Sequence, residues 1–368
     1  MKSTILITAR KQDPFPPFGL QTFFFEEIMV FANELGLQVY FADPLEQSYS
    51  TVLKGYEFVN NTWVDIEFQL PKFIYDRFST PDEDLYQKAE QYRNFCLEQG
   101  CQFANPRPLV HLLRNKFAFH QFLEEKQLVD IPSMSSEALD KGIVNQWLDN
   151  FGGIYIKPCE ASNGRGIVVL KKVNDQFIFF DEGGKEFSNS SDFFEKLKSY
   201  CRPNYIVQPE IKAFQQENCA FDLRCIVQND GLGVNSITGL GIRVGNEESL
   251  VSNLKAGGFG LAYEEIETLL NVPIDKIALQ QVIEKKCLII TEALQEEFGS
   301  ICEIAFDILL NEKLEPVILE ANANPGRWLF TKIADRYEVQ NPILCKKYRQ
   351  MRKTCVEWPV KYSYNMNK

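Results

Sequence analysis

The stretch Cys302–Arg327, CEIAFDILLNEKLEPVILEANANPGR, decides how this chain is read. Two apolar runs, CEIAFDILL and LEPVILEAN, flank the polar turn Asn311-Glu312-Lys313, so the segment predicts a β-hairpin. Asp307 sits inside the first run, among Ile304, Phe306, Ile308 and Leu309. Glu320 and Asn322 close the second run two residues apart, hence on one face, with Ile318 expected on the same face. A carboxylate amid apolar strand residues costs free energy unless it is paired or metal-bound. That argues against the alternative, an Asp307 facing solvent on an edge strand. Two carboxylates and an amide form a hard-oxygen set of the kind Mg²⁺ takes, with Glu320 placed to bridge two ions.

Working outward, Asn324-Pro325-Gly326-Arg327 follows at once and reads as a tight turn whose glycine lets backbone N–H groups approach an anion. Upstream, GIYIKP (153–158) and GIVVLKK (166–172) read as two strands joined by the loop CEASNGR. Lys157, aimed inward from a strand beside a Gly/Ser loop, is a phosphate-holding arrangement, although an ordinary hairpin loop has the same outline. It matches neither a Walker A loop, which ends in Gly-Lys-Ser/Thr, nor a Rossmann fingerprint, which needs a helix to follow. YIVQPEI (205–211), DLRCIVQ (222–228) and SITGLGIRV (236–244) read as further strands, the last two joined at Asn229-Asp230-Gly231. Residues 274–298 carry an apolar stripe and predict the longest helix.

The N-terminal part has a β-α-β start: TILITA (4–9), a helix over GLQTFFFEEIMVFANELG stopped by Gly36, then LQVYFADP, with FIYDR (73–77) as another short strand. This order predicts a parallel sheet. NPRPLV near residue 105 separates that unit from the rest, and 111–126 predicts one amphipathic helix. The last 30 or so residues read as helix and tail with a basic stretch.

Composition narrows the function classes. At 368 residues the chain is expected to form two or three packed units, and 45% hydrophobic with 24% charged residues is ordinary for a globular protein. The apolar run Ile5–Ala9 is too short for a signal sequence, and no run nears the roughly 18 residues that span a bilayer. A cytoplasmic protein without a membrane role is expected. A net charge of −11 disfavours general nucleic-acid binding. Ten cysteines without a C-x-x-C pair, and only two histidines, predict reduced buried thiols rather than a zinc site or disulfide framework.

Taken together and in this order, Lys116, Lys157 with its glycine loop, YIVQPEI and FDILL…LEANANPG resemble the ATP-grasp superfamily. PFGLQTFFFEE, Trp63…FIYDR, RNKFAFHQFL, FDLRCIVQ, ITGLGIRV and EANANPGR resemble the YheC/YheD, spore-coat-associated, branch of it, to about residue 345. The resemblance implies an α/β chain: an ATP-grasp fold of two α+β halves behind an N-terminal parallel-sheet domain. It implies ATP between the halves, with Lys116 and Lys157 on its phosphates and Ser162, Gly164 and Gly166 in the loop closing over them. Gln208, Glu210 and the Ile211 backbone would meet the adenine edge, and Asp307, Glu320 and Asn322 would hold Mg²⁺. Arg243, Arg224 and Lys255 would stabilise the transferring phosphate. Asn253, Gly257, Gly258 and Arg327 would lie near the second substrate. Some ATP-grasp ligases carry an arginine two residues before the metal aspartate; here that position is Ala305. SNLKAGG (252–258) resembles the substrate-side turn of RimK-like ligases, which also lack that arginine.

These elements divide the chain into 1–104, 105–204, 205–345 and 346–368, the last as a tail. The implied activity is an ATP-dependent, ADP-forming carboxylate–amine ligase acting on small-molecule or peptide substrates through an acyl phosphate. A kinase ranks below it, because His111 and His120 read as structural residues on one helix. A spore-associated scaffold that retains the ATP fold is the other alternative. A homodimer is compatible with the resemblance.

Overall fold

Alternating apolar runs become the strands of three sheets in the computed structural model, which describes residues 3–12, 16–160, 166–173, 176–181, 184–188, 192–212, 220–245 and 258–367. The first sheet has the order β4-β3-β2-β1-β5-β6. It uses β1 (Thr4–Thr8), β2 (Gln38–Ala42), β3 (Val52–Val59), β4 (Thr62–Gln69), β5 (Phe73–Asp76) and β6 (Gln102–Phe103). The pairs β2–β1, β1–β5 and β5–β6 are parallel, as the β-α-β start predicts, with helix α1 (Gln21–Glu34) as the first crossover. The antiparallel hairpin β3–β4 was not anticipated; it turns at Asn60 and Asn61, both at positive φ (50° and 61°), the left-handed pair that tight hairpins use.

The second sheet is antiparallel, β11-β10-β9-β8-β12-β7. Its strands are β7 (Met134–Ser135), β8 (Gly153–Pro158), β9 (Val168–Val173), β10 (Gln176–Asp181), β11 (Gly184–Ser188) and β12 (Tyr205–Pro209). Strand β12, expected to open the C-terminal half at residue 205, instead pairs with β8, Ile206 opposite Lys157. β12 is thus a strand of the second sheet. The third sheet, β15-β14-β13-β16-β17, is also antiparallel. It comprises β13 (Phe221–Asn229), β14 (Asn235–Val244), β15 (Phe259–Leu261), β16 (Glu303–Leu310) and β17 (Pro316–Asn322).

Helix α2 (Glu83–Glu98) connects β5 to β6; α3 (Arg107–Arg114) and α4 (Lys116–Glu125) lead in the chain from the first sheet to the second, to which α5 (Lys141–Phe151) and α6 (Phe193–Tyr200) belong. The single helix expected over 111–126 is broken. Asn115 takes an extended conformation (φ −99°, ψ 105°), and its side-chain oxygen accepts from the Ala118 N–H at 3.0 Å. An asparagine caps a helix better than it continues one. Lys116 thus becomes the first residue of α4, and the two histidines fall on different helices.

The short α7 (Ile266–Leu270) leads to α8 (Lys276–Phe298), whose Ile283, Cys287, Ile290 and Leu294 join the main core under the third sheet. Helix α9 (Trp328–Arg336) lies on the opposite face. A Cβ on Gly239 would meet the Phe330 ring at 2.3 Å, and one on Gly241 would meet Ile333 at 2.8 Å. Only glycine admits that approach. Gly241 pairs with Arg224 across β13–β14, so α9 shares the face that carries Arg224.

The expected tail is helix α10 (Pro342–Met366), at 25 residues the longest among the described residues, against 23 for α8. Tyr348 and Tyr362 are buried, and α10 packs on α1, α9 and β13, so this helix is part of the core. The nine described cysteines are free. No helix among the described residues is long and apolar enough to cross a membrane.

Candidate nucleotide and metal site

One row of cross-strand partners organises the site: Gly241 on β14, Arg224 on β13, Asp307 on β16 and Glu320 on β17. The β16–β17 register slips between Asp307 and Ile308, so that Asp307 faces Glu320 while Ile308 faces Ile318. Leu319 is the extra, bulged residue. The bulge corrects the expectation of strict alternation: Ile318 goes to the opposite face, into the core, while Glu320 turns toward Asp307. Asn322 pairs with Ala305, two residues before Asp307, and its amide donates to Glu320 Oε1 at 3.4 Å. The hairpin thus brings Asp307, Glu320 and Asn322 together.

The charges around this row are interlocked. Arg224 grips Asp307 with Nε on Oδ1 at 2.5 Å and Nη2 on Oδ2 at 3.0 Å. Arg243 reaches the same Oδ2 at 2.8 Å and also clasps Asp222, Nε on Oδ1 at 2.6 Å and Nη2 on Oδ2 at 2.7 Å. Burial alone raises the Asp307 pKa, but the two guanidiniums outweigh it and hold the carboxyl well below its usual range. Glu320 moves the other way: burial, then the Asp307 charge, push its pKa up against the pull of Lys116. The cationic charge missing at Ala305 is present beside Asp307, supplied from β13 and β14. Asp222 joins the site as well; its only signal in the sequence is its position two before Arg224 in FDLR, which puts both on one face.

Across from this row stand two lysines. Lys116, at the N-terminus of α4, places Nζ 3.6 Å from Glu320 Oε2, and its N–H donates to the Cys159 carbonyl at 2.9 Å. Lys157 donates from Nζ to Gln208 Oε1 at 3.2 Å. Burial pushes its ammonium pKa down to about 8, with Glu320 opposing and Lys116 assisting. Four cations (Arg224, Arg243, Lys116, Lys157) therefore face three carboxylates, one of them with a raised pKa. Such a cluster suits a polyanion.

Two carboxylates and an amide suit Mg²⁺ by donor type, but they do not complete its shell. Among the described residues there is no group of three or more His, Cys, Asp or Glu that could hold a metal. Mg²⁺ keeps several waters and takes phosphate oxygens readily, so this partial set fits an ion delivered with a nucleotide better than a permanent one.

The remaining expected residues fall as follows. Gly166 has φ 71°, in the left-handed region, and a Cβ there would lie 3.0 Å from Pro158 Cγ, so this residue itself sits close against the end of β8. Ser162, Gly164, Asn253, Lys255 and Gly257 lie outside the described residues, and with them nearly all of SNLKAGG. Gly258 immediately precedes β15. Glu210 donates its N–H to the Gly153 carbonyl at 2.7 Å, and its Oε1 accepts from Lys171 at 2.6 Å; Ile211 lies beyond the end of β12. Arg327 is not brought to the row. It is buried, with Nε donating to the Cys355 carbonyl at 2.8 Å and Nη2 paired with Glu303.

The Lys157 setting predicts a pH dependence. Nucleotide phosphates need the ammonium form. Affinity for ATP is expected to fall as pH rises through about 8. Folding responds with the opposite sign: an unfolded lysine keeps its proton to higher pH, so this residue alone makes the fold more stable over that window. Titration calorimetry at about pH 7 and about pH 9.5 checks it, with Lys157→Arg expected to flatten the profile; equal wild-type affinity at both would contradict it.

A β-bulged carboxylate hairpin in one antiparallel sheet faces Lys157 from a second and Lys116 from α4, and the N-terminal sheet is mixed; the fold is that of the ATP-grasp proteins. Solved ATP-grasp structures share it at low identity. D-cycloserine synthetase DcsG superposes with a TM-score of 0.55 at 12% identity, over 96% of this chain and 99% of that one. D-alanyl-alanine synthetase A from Vibrio cholerae gives 0.53 at 10%, over 96% and 98%. The ligase PsnB, solved with a phosphomimetic precursor variant, Mg and ADP, gives 0.51 at 11%, over 96% and 100%.

The chain belongs to the YheC/D-like ATP-grasp family, whose model matches residues 102–346. Endospore coat-associated protein YheC of Bacillus subtilis (strain 168) is 24% identical over 323 residues, 84% of this chain and 86% of that protein. YheD of the same organism is 21% identical over 334 residues, 86% and 70%.

Proposed function

We propose that this chain is an ATP-dependent carboxylate–amine ligase that releases ADP and phosphate. The observation that carries the reading is the cation-rich row itself, Arg224–Asp307–Glu320 with Arg243, Lys116 and Lys157 around it. A carboxylate is a poor electrophile, and phosphorylation makes it reactive toward an amine. That chemistry asks the protein for positioning and charge neutralisation rather than for a nucleophile. Lys116 and Lys157 hold the β- and γ-phosphates. The loop containing Ser162, Gly164 and Gly166 covers them, and Gln208, Glu210 and the Ile211 backbone edge the adenine. Asp307, Glu320 and Asn322 hold Mg²⁺, which when bound neutralises the phosphate charge. Arg224 and Arg243, with Lys255, face the phosphoryl group in transit. Asn253, Gly257 and Gly258 border the acid and the amine, which are small molecules or peptides.

The ligases among the fold neighbours support this reading. The spore-coat association in the names of the relatives favours a second one, a nucleotide-binding coat component without turnover. Purified protein with Mg-ATP and mixed amino acids or peptides separates them. Release of ADP and phosphate that depends on the acid is expected. AMP as product overturns the ligase class, and an ATP-induced thermal shift without turnover of any acid favours the second reading.

A further inference from the structure

His120 is buried to 2% exposure and meets both sides of the site. It lies one helical turn after Lys116, on the same face of α4. Its Nε2 stands 3.0 Å from Gln208 Nε2, and 3.4 Å from the carbonyl of Leu319, the bulged residue that turns Glu320. Gln208, 3% exposed, accepts from Lys157 Nζ.

The chemistry of these groups fixes one arrangement. A lysine ammonium has donors only, so Gln208 must offer it Oε1. The amide NH₂ then points at His120 Nε2, and that nitrogen must be the bare acceptor. The ring proton is left on Nδ1, which has no partner among the described residues. The competing arrangement would put the proton on Nε2, facing the Leu319 carbonyl. It would also turn the Gln208 NH₂ group onto the Lys157 ammonium, donor against donor. A buried donor without a partner costs about 1–3 kcal/mol, less than aiming an amide dipole the wrong way at a buried charge. Burial, with Lys157 nearby, pushes the His120 pKa down to about 4, consistent with a neutral ring.

We infer that His120 is a positioning residue: in its neutral Nδ1–H form it locks the Gln208 amide, and through it aims the Lys157 ammonium at the nucleotide phosphates. This inference rests on the nucleotide reading above for what Lys157 is aimed at, but not for the His120–Gln208 link. The link lets α4 serve both halves, with Lys116 on the metal hairpin and His120 on the Lys157 strand pair.

Two measurements test it. With two histidines in the chain, long-range ¹H–¹⁵N spectra of the rings resolve His120 from the more exposed His111. The expected result is a neutral His120 with its proton on Nδ1 throughout neutral pH; a proton on Nε2 overturns the inference. The second is a double-mutant cycle on ATP affinity. His120→Phe is expected to weaken ATP binding about tenfold, the loss of one buried hydrogen bond, in the wild type and hardly at all in Lys157→Ala. His120→Gln, which restores an acceptor, is expected to recover most of the loss and serves if the Phe variant does not fold. Equal losses in both backgrounds would mean that His120 only supports the fold, and overturn the inference. If the wild type binds no nucleotide, the underlying reading fails, and the ring tautomer alone decides the link.

Discussion

Glu320→Gln is expected to lower ATP turnover at least about a hundredfold while leaving the melting temperature unchanged or higher. The two effects have opposite signs for one reason. Glu320 is half-buried beside Asp307; desolvation, then the Asp307 charge, push its pKa up, so the folded protein bears the cost of two adjacent carboxylates. An amide keeps the shape and removes the repulsion. It also removes half of the carboxylate charge available to a divalent ion and the Lys116 partner. Residues kept for function at the expense of stability behave in this way. Phosphate-release kinetics and thermal melts of the same preparation give both numbers. Full turnover in the variant, or a marked loss of stability, would remove Glu320 from the site.

The second large effect lies outside the site. The Glu303 side chain is completely buried where β16 meets the N-terminal sheet and α10. Tyr75 donates to its Oε1 at 2.7 Å, Arg77 lies 3.3 Å from the same oxygen, Gln228 donates to Oε2 at 2.9 Å, and Arg327 pairs with Oε2. The Phe24 ring lies under both guanidiniums, at 5.4 Å and 4.6 Å. Glu303→Ala leaves two buried arginines without their carboxylate. It is expected to cost about 3–5 kcal/mol in urea unfolding, since breaking a buried pair strands its partner. Replacing the whole cluster with apolar residues would be milder for the same reason. A loss below about 1 kcal/mol would mean that water reaches these arginines after all.

The acidic hairpin was legible because its carboxylates break apolar runs, a pattern that costs free energy unless it is used. The parallel start and most strands of the other sheets were legible for the same patterning reason. What escaped notice depended on single residues whose effect is local geometry. Asn115 reads as one more polar position on a periodic helix, but it caps, and so makes Lys116 a helix terminus. Leu319 reads as an alternating strand residue, yet its bulge sends Ile318 and Glu320 to opposite faces. Arg327 follows the metal motif directly and was expected at the substrate. The structure engages it with Glu303, more than twenty positions earlier, a partner no local pattern reveals. The C-terminal segment reads as a tail because its buried tyrosines and cysteines are spaced among many charges, which hides the face that packs.

Among all these expectations, the joint placement of nucleotide and divalent ion on the bulged hairpin is the central one. Crystals grown with a non-hydrolysable ATP analogue and Mn²⁺, measured at the manganese absorption edge, test it directly. The account predicts an anomalous peak bounded by Asp307, Glu320 and Asn322, with the analogue's phosphates between that peak and the Lys116 and Lys157 ammoniums. A bound analogue with its manganese elsewhere, and Asp307 still held by Arg224 and Arg243, would contradict it.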